Sequence, residues 1–406
     1  MMTGKPQTIG KQRLARDTPR RTLATCSAAH VVHDGLSDVS YVLLPILAQS
    51  FGLTLAQVGM IRSAWRAATA IFQTPAGLAA ERLGARNLLA FGTACAGVAF
   101  IALGQAAGFT AILITLFFAG FGSAFQHPLC SSMISHAYPG SGRRAALGTY
   151  NFFGDVGKFA FGGAVSLLFI AGVPWQVPVT AFGALAIVCA FAIVLFVQET
   201  KQKPVKSASP ATKTAAGWGI RNRQGFVALC AIEIIDSSVR TGFLTFIAFL
   251  MLAKNLPAGW AALSVPLLLI GGMAGKLACG VLAERLGVIR TVVITEIATG
   301  TGILLMLVVP DITAYLLLPL IGVALNGTSS VLYATIGDLV EPDRLPRVFG
   351  FFYTINSVCG LVVPLALGII GDALGVGTSI ALMGVLVFVT LPLCLALRPA
   401  LRAASA

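Results

Sequence analysis

The sequence predicts an all-α membrane protein: twelve transmembrane helices in two six-helix bundles. Three observations carry that prediction. Of the 406 residues, 57% are hydrophobic and only 11% charged, whereas an ordinary soluble domain is about a quarter charged; mean hydropathy is +0.88. Apolar stretches of roughly 20 residues recur along the chain, each long enough to cross a hydrocarbon core about 30 Å thick. The run Gly77-Leu-Ala-Ala-Glu81-Arg82-Leu83-Gly84-Ala-Arg86 also returns as Gly280-Val-Leu-Ala-Glu284-Arg285-Leu286-Gly287-Val-Ile-Arg290, 203 residues on, half the length of the chain. In each copy a short charged turn separates two apolar segments, which marks one membrane-embedded unit repeated in tandem, as in secondary transporters.

Bare backbone is intolerable in lipid, so each apolar stretch must be a helix. Period-two alternation, the mark of a barrel, is missing. The spans fall near 25–49, 56–80, 87–106, 109–137, 144–170, 177–197, 225–252, 260–283, 288–309, 312–340, 346–372 and 376–397. Pro45, Pro75, Pro128 and Pro364 lie inside them, as membrane helices tolerate. The expected organisation is an N-terminal tail (1–24), a first bundle (25–198), a linker (199–224), a second bundle (225–397) and a C-terminal tail (398–406). The linker is polar, basic and Pro/Ser-bearing, which predicts a flexible connection. Connections on the opposite face, such as Ser50-Phe-Gly-Leu-Thr54 and Gln105-Ala-Ala-Gly-Phe109, are short and almost chargeless. They leave no room for an external soluble domain.

The net charge of +13 invites a nucleic-acid reading, which its location excludes. With a cytoplasmic N-terminus, 22 of the 28 Lys and Arg fall in tails and loops on the cytoplasmic face, and only Lys254 falls in a loop on the other. This asymmetry is the positive-inside rule, and it predicts a multi-pass protein of the bacterial cytoplasmic (inner) membrane with both termini in the cytoplasm. Leu23-Ala-Thr-Cys26 mimics a lipoprotein cleavage box, but Pro19-Arg-Arg-Thr precedes it where an apolar segment should be, so no cleaved signal is expected. The eight cysteines are scattered singly without CxxC spacing, and free thiols are expected.

The turn at 77–86 resembles the signature loop of the major facilitator superfamily: Gly, three residues, acid, Arg, one residue, Gly, one residue, Arg. Glu81 fills the usual Asp position. Residues 280–290 are similar to that loop's second copy, and the resemblance covers essentially the whole chain. It implies the twelve-helix fold, solute transport by alternating access, and a central cavity lined by the first, second, fourth and fifth spans. Within the superfamily the chain looks most like the fosmidomycin resistance protein branch of drug exporters. His30-Val-Val-His33-Asp34 is similar to that branch's His-x-x-Asn-Asp, and Gly120-Phe-Gly-Ser-Ala-Phe125-Gln-His127-Pro128 to its Gly-x-Gly-Ser-x-x-Phe-His-Pro. Gly154, Gly157, Phe159 and Gly162 loosely match its Gly-rich fifth helix. Two features depart from the antiporter pattern: Leu113 to Ala119 holds no basic residue, and Lys158 follows Gly157 ahead of Gly162-Gly163. The resemblance implies proton-linked efflux of a drug or small organic anion.

Charge at the bilayer centre costs about 2.5–3.5 kcal/mol on insertion scales, so such residues face a cavity or a partner. At 1.5 Å per residue, Asp34, His127 and Asp155 lie roughly 14–16 Å from the cytoplasmic helix ends, and Asp38, Lys158 and Arg66 about 20–21 Å. His30, Asp34 and Asp38 are four apart and share a helix face, as do Arg62 and Arg66. Asp34, helped by His33 or His127, is the expected proton-coupling group, with Asp38 beside it. The planar forks of Arg62 and Arg66 suit an anionic cargo. His30, Asp155, Lys158, Asp236, Arg240, Asn326 and Asn356 complete the expected substrate set. Shifting His30 and His33 by the repeat gives Glu233 and Asp236. Structural readings compete: an Asp38–Arg66 ion pair, a self-neutralising Asp155–Lys158 pair, a Lys276–Glu296 pair, and asparagines that merely glue helices. Gly77, Glu81, Arg82, Gly84 and Arg86, with Glu284, Arg285, Gly287 and Arg290, are read as a gate whose ion pairs latch helix ends together in the outward-facing state.

An ATP-driven pump is excluded, because Gly271-Gly-Met-Ala-Gly275-Lys276-Leu277 lacks the phosphate-loop spacing. No nucleophile elbow or metal-binding helix motif supports an enzyme. A metal or metalloid carrier using His30, His33 and Cys130, a metabolite importer and a non-transporting sensor stand as lesser alternatives. The expected partners are a small-molecule substrate, protons and the lipid bilayer. No nucleic acid, cofactor or resident metal is expected, and the chain is read as a monomer.

Overall fold

A computed structural model describes residues 8–138, 142–197, 218–341 and 344–405. Fourteen helices account for nearly all of them: α1 (Thr8–Phe51), α2 (Leu55–Leu83), α3 (Ala85–Leu103), α4 (Phe109–Ser123), α5 (Gln126–Ala137), α6 (Gly142–Ile170), α7 (Gln176–Phe196), α8 (Arg223–Ala253), α9 (Ala258–Leu286), α10 (Val288–Leu305), α11 (Asp311–Leu339), α12 (Leu345–Leu374), α13 (Val376–Val387) and α14 (Thr390–Ser405). Two spans are broken in two. The α4/α5 break at Ala124 and the α13/α14 break at Phe388 each lie four residues before a proline, Pro128 and Pro392. A proline ring removes the hydrogen bond to the carbonyl four residues back and clashes with it.

Eleven segments are long and apolar enough to cross a membrane. The twelfth span is α2, with 29 residues, whose apolar face is diluted by Gln57, Arg62, Arg66 and Gln73. Tight turns join α2 to α3 and α9 to α10 at Gly84 (φ +85°) and Gly287 (φ +83°). Each N–H closes on the carbonyl four residues back, Ala80 or Ala283, at 3.0 Å. With positive φ and extended ψ, each position is one that glycine alone enters readily. The sequence repeat is therefore a repeat of backbone geometry.

Three expected boundaries move. Residues 8–24 and 398–405, read as tails, continue α1 and α14 as helix, because Lys11 to Ala15 and Ala400 to Ala404 are mostly good helix formers. The part of the linker at 218–222 is tied down rather than loose. Ile220 pairs with Val340, Arg221 donates to the Leu339 carbonyl, and Asn222 caps α8 through its side chain. The rest of the expected flexible linker lies outside the described residues.

The first helix of each bundle is its most enclosed. In α1 and α8, 83% of the apolar window is buried, against 33–56% in the other candidate spans. The titratable groups at midspan therefore sit where protein, not lipid, surrounds them. The bundles meet along α2/α12 and α6/α9. Gly59 lies against the Pro364 backbone, Gly368 against Leu55, and Gly259 against Phe169 and Ile170. Asp372 of α12 accepts from the first N–H groups of α2, Leu55 at 2.7 Å and Ala56 at 2.9 Å. All these contacts lie in the half away from the charged Gly84 and Gly287 turns. Toward those turns the bundles separate: among the described residues, nothing lies within 4 Å of where a side chain at Gly77, Gly148 or Gly280 would begin.

Candidate functional site

Asp34, midway along α1 and 5% exposed, is the hub of a polar network. Its Oδ1 lies 3.1 Å from His33 Nδ1 and 3.6 Å from His127 Nε2. Its Oδ2 lies 3.2 Å from both His30 Nε2 and Lys158 Nζ. Lys158 continues to Asp155 Oδ1 at 3.1 Å, and Asp155 reaches across to Lys276 of the second bundle at 2.7 and 2.8 Å. The chain His–Asp34–Lys158–Asp155–Lys276 thus runs from the interior of one bundle to the face of the other.

Local sequence explains the assembly. Gly154 leaves space for the His30 ring, and Gly157 rests on the Val31 backbone. These two glycines let α6 lie close against α1 and carry Lys158 to Asp34. His30 stacks on Tyr150 at 3.9 Å and its Nδ1 donates to the Tyr150 carbonyl at 2.7 Å. His33 Nε2 donates at 2.9 Å to the carbonyl of Ser123, at the α4/α5 break. That break also delivers His127, half exposed, to the same carboxylate.

These bonds constrain the proton inventory. His30 and His33 each spend one N–H on a backbone carbonyl, so the nitrogen facing Asp34 carries a proton only if the ring is cationic. Otherwise lone pairs face a carboxylate, unless Asp34 itself holds the proton. The cluster therefore accommodates a shared proton, and its arrangement depends on where that proton sits. His30, Asp34 and His127 bring ligand atoms within 4.8 Å of one another, but the Lys158 ammonium on the same carboxylate disfavours a second cation there. Cys130, part of the metal alternative, is buried in the hydrophobic core.

Beside this network lies a cavity of about 140 Å³ bounded by both bundles. Its charged lining is Asp38, Arg66, Asp155 and Lys158 from the first bundle and Arg240 and Lys276 from the second, four cations against two carboxylates. Tyr41, Asn326 and Asn356 add neutral polar groups. Asp38 and Arg66 share this wall without a direct ion pair among the described residues. Arg62 stays outside it. It is 1% exposed, lies 3.7 Å above the Tyr41 ring, and donates to Ser40 Oγ at 2.6 Å and the Ser37 carbonyl at 3.2 Å.

The second bundle carries its own cluster. Asp236 lies 3.7 Å from Arg240, with Glu233 (0% exposed) and Glu296 (1%) near them; Arg240 is the one cation facing the three acids among the described residues. The expected Lys276–Glu296 pair is not formed. Lys276 turns to Asp155 instead, because α9 packs on α6 across the interface, while Glu296 of α10 points inward toward Asp236. Nor is Asp155–Lys158 a closed pair, since each member holds a further partner. At the gate, Glu284, Arg285 and Arg82 are exposed, Arg86 Nε donates to Asn87 at 3.2 Å, and the Glu81 side chain lies outside the described residues. Sequence reasoning missed Tyr150, the Ser123 carbonyl and Asp372. A tyrosine or backbone carbonyl gives no signal of its partner, and Asp372 reads as an ordinary loop acid.

The arrangement, two bundles parted at one end around a charged midplane cavity, is that of a carrier. The family profile described as Major Facilitator Superfamily matches residues 26–325 and 239–405. The chain belongs to the major facilitator superfamily. As a member it is a multi-pass membrane transporter, not an enzyme. It is 24% identical over 380 residues to a hexuronate transporter of Bacillus subtilis (strain 168), covering 88% of this chain and 90% of that protein. It is 23% identical over 362 residues to the probable sulfoacetate transporter SauU of Cupriavidus necator, covering 82% and 83%. The fosmidomycin resistance protein of Escherichia coli (strain K12) matches at 26% over 161 residues, 39% of each chain. In fold, a bacterial homolog of the human lysosomal transporter Spinster, in an inward-facing and unoccupied conformation, superposes with a TM-score of 0.77 at 18% identity, covering 95% of this chain and 98% of that one.

Proposed function

We propose that this transporter is a proton-coupled carrier of a small organic anion, working by alternating access as a monomer in a bacterial inner membrane. The observation that carries the reading is the cavity shared by both bundles, whose lining has a surplus of two positive charges over its carboxylates. Three of the lining cations already hold an acid, Lys158 and Lys276 on Asp155 and Arg240 on Asp236. Arg66 is in no ion pair among the described residues, a costly state in a low-dielectric site, and an anionic cargo supplies its partner. Of the two cargo classes expected from sequence, the cavity favours the anion over the drug, because about 140 Å³ is well below the roughly 300–1,000 Å³ of pockets for drug-sized ligands. The hexuronate and sulfoacetate named for two near-full-length relatives are small acids, in keeping with this reading. With both termini in the cytoplasm, the conformation described here is inward-facing. Asp34 with His33, His127 and His30 carries the coupled proton, with Asp38 beside it, and Arg66, Arg240, Asn326 and Asn356 contact the cargo.

Purified protein in proteoliposomes provides the test, with radiolabelled hexuronate and sulfoacetate as first probes and a neutral hexose as control. Anion uptake under an imposed pH gradient is expected, abolished by a protonophore. Arg66→Gln and Arg240→Gln should each raise KM about tenfold, as the loss of one charge-assisted hydrogen bond predicts. Asp34→Asn should abolish gradient-driven accumulation while counterflow exchange persists. Equal transport of neutral or cationic solutes, indifferent to both arginine variants, would overturn the anion reading. Gradient-driven accumulation by Asp34→Asn would remove the proton role.

A further inference from the structure

A second cleft in the described part of the protein lies away from the transport path. At the end of the second bundle that carries the Gly287 turn, α9, α10, α11 and α14 enclose about 840 Å³. One wall is basic: Arg290 from the first turn of α10, and Arg398 and Arg402, one turn apart on α14. Asp338 is the one acid in the lining, and the floor along α10 is apolar, with Val293 and the half-exposed Ile294. All three arginines are exposed, and among the described residues none is in an ion pair.

The repeat unit at 203 residues' distance has Leu195 and Glu199 where this bundle has Arg398 and Arg402, and its own cations follow only at Lys201 and Lys203. Both sets satisfy the positive-inside rule, but the second bundle places its cations one turn apart on the helix that walls the cleft. The layout is also amphipathic in one direction. Guanidinium groups stand level with the helix ends, where a bilayer has its headgroups, and the apolar groove runs from there along α10 into the hydrocarbon region. A guanidinium fork matches phosphate oxygens two at a time, and basic pockets between helices at a membrane face bind anionic headgroups.

We infer that this cleft is a binding site for one anionic phospholipid, its phosphate held by Arg290, Arg398 and Arg402 and an acyl chain lying along α10. A lipid so placed ties the Gly287 turn to the C-terminal helix and stiffens one of the two repeated turns. The inference stands apart from the cargo and coupling proposed above, and its test does not use transport. Full-length protein is equilibrated with equal amounts of phosphatidylglycerol and phosphatidylcholine, and retained lipid is counted by native mass spectrometry. Phosphatidylglycerol should be retained about tenfold over phosphatidylcholine, with one molecule surviving mild delipidation. The triple variant Arg290→Gln, Arg398→Gln, Arg402→Gln should bring the ratio near one. The three-lysine variant should restore part of the preference, and Arg82→Gln with Arg285→Gln, which removes charge from the turns but not from the cleft, should leave it intact. Should the glutamine variant fail to fold, the wild-type melting temperature in nanodiscs decides, and it should be higher in phosphatidylglycerol than in phosphatidylcholine. Equal retention by wild type and glutamine variant, equal loss in the control, no difference between nanodiscs, or displacement of the lipid by soluble glycerol phosphate at equal concentration would each overturn the assignment.

Discussion

Lys158 joins the two halves of the polar network, and its position sets what its loss should do. Its ammonium lies 3.2 Å from Asp34 and 3.1 Å from Asp155, and it is a quarter exposed. Removing it takes from the buried Asp34 its one lysine partner, whereas Asp155 keeps Lys276, and breaking a buried pair costs about 3–5 kcal/mol. Lys276 shares only Asp155, from a more exposed position, where an ion pair contributes about 0–1 kcal/mol. Lys158→Gln should therefore lower thermal stability in detergent far more than Lys276→Gln; equal melting temperatures would show that the network is wet throughout. How much of this site was legible in sequence follows from the same residues. Charged groups inside apolar spans are conspicuous, and counting 1.5 Å per residue placed Asp34, His127 and Asp155 on different helices at comparable depth. Which acid a lysine selects depends on how bundles pack across an interface. That is why Lys276 was assigned to Glu296 and found on Asp155, and why Arg62 proved to stack on Tyr41 rather than face the cavity.

At the scale of elements, spans were readable because lipid enforces length and apolarity, and apart from the outer ends of α1 and α14, which run on past the bilayer length, their ends moved by only a few residues. Breaks inside spans were not read, although Pro128 and Pro392 were visible, because most prolines here (Pro45, Pro266, Pro319) sit in uninterrupted helices. The seam between α2 and α12 was invisible for another reason: its hydrogen-bonded partners, Leu55 and Asp372, are 317 residues apart. Asp372 there supplies to α2 what a helix start lacks, acceptors for its unpaired N–H groups. Side-chain caps of this kind are worth about 0.5–2 kcal/mol, and this one exists only while the bundles touch. Asp372→Ala should therefore shift the conformational equilibrium toward opening at that end by about 2- to 30-fold. Spin labels at Gln57 and Thr378 would report it as growth of a longer-distance population. An unchanged distance distribution would mean that the glycine-backed packing of Gly59 and Gly368 suffices alone.

For the whole molecule, the duplicated turn announced two bundles, and both the packing and the family match agree. The separation toward the turns makes a direct prediction. Gly77, Gly148 and Gly280 lie about one to three turns from the cavity-lining Arg66, Asp155 and Lys276 on the same helices. Cysteines placed there singly should react with a membrane-impermeant thiol reagent from the side bearing the termini, and saturating cargo or a reversed pH gradient should slow the reaction severalfold. Protection in every condition would mean that the lobes stay shut there. One helix has a consequence beyond transport. With Arg62 and Arg66 in its middle, α2 falls short of the apolarity that commits a nascent segment to lipid, and its main support, α12, begins at Leu345 and so leaves the ribosome long afterwards. Throughout most of synthesis the second span must rest on its early neighbours or wait at the bilayer surface. A chain truncated before Leu345 should consequently leave α2 accessible to protease, while its later, greasier spans are already inserted.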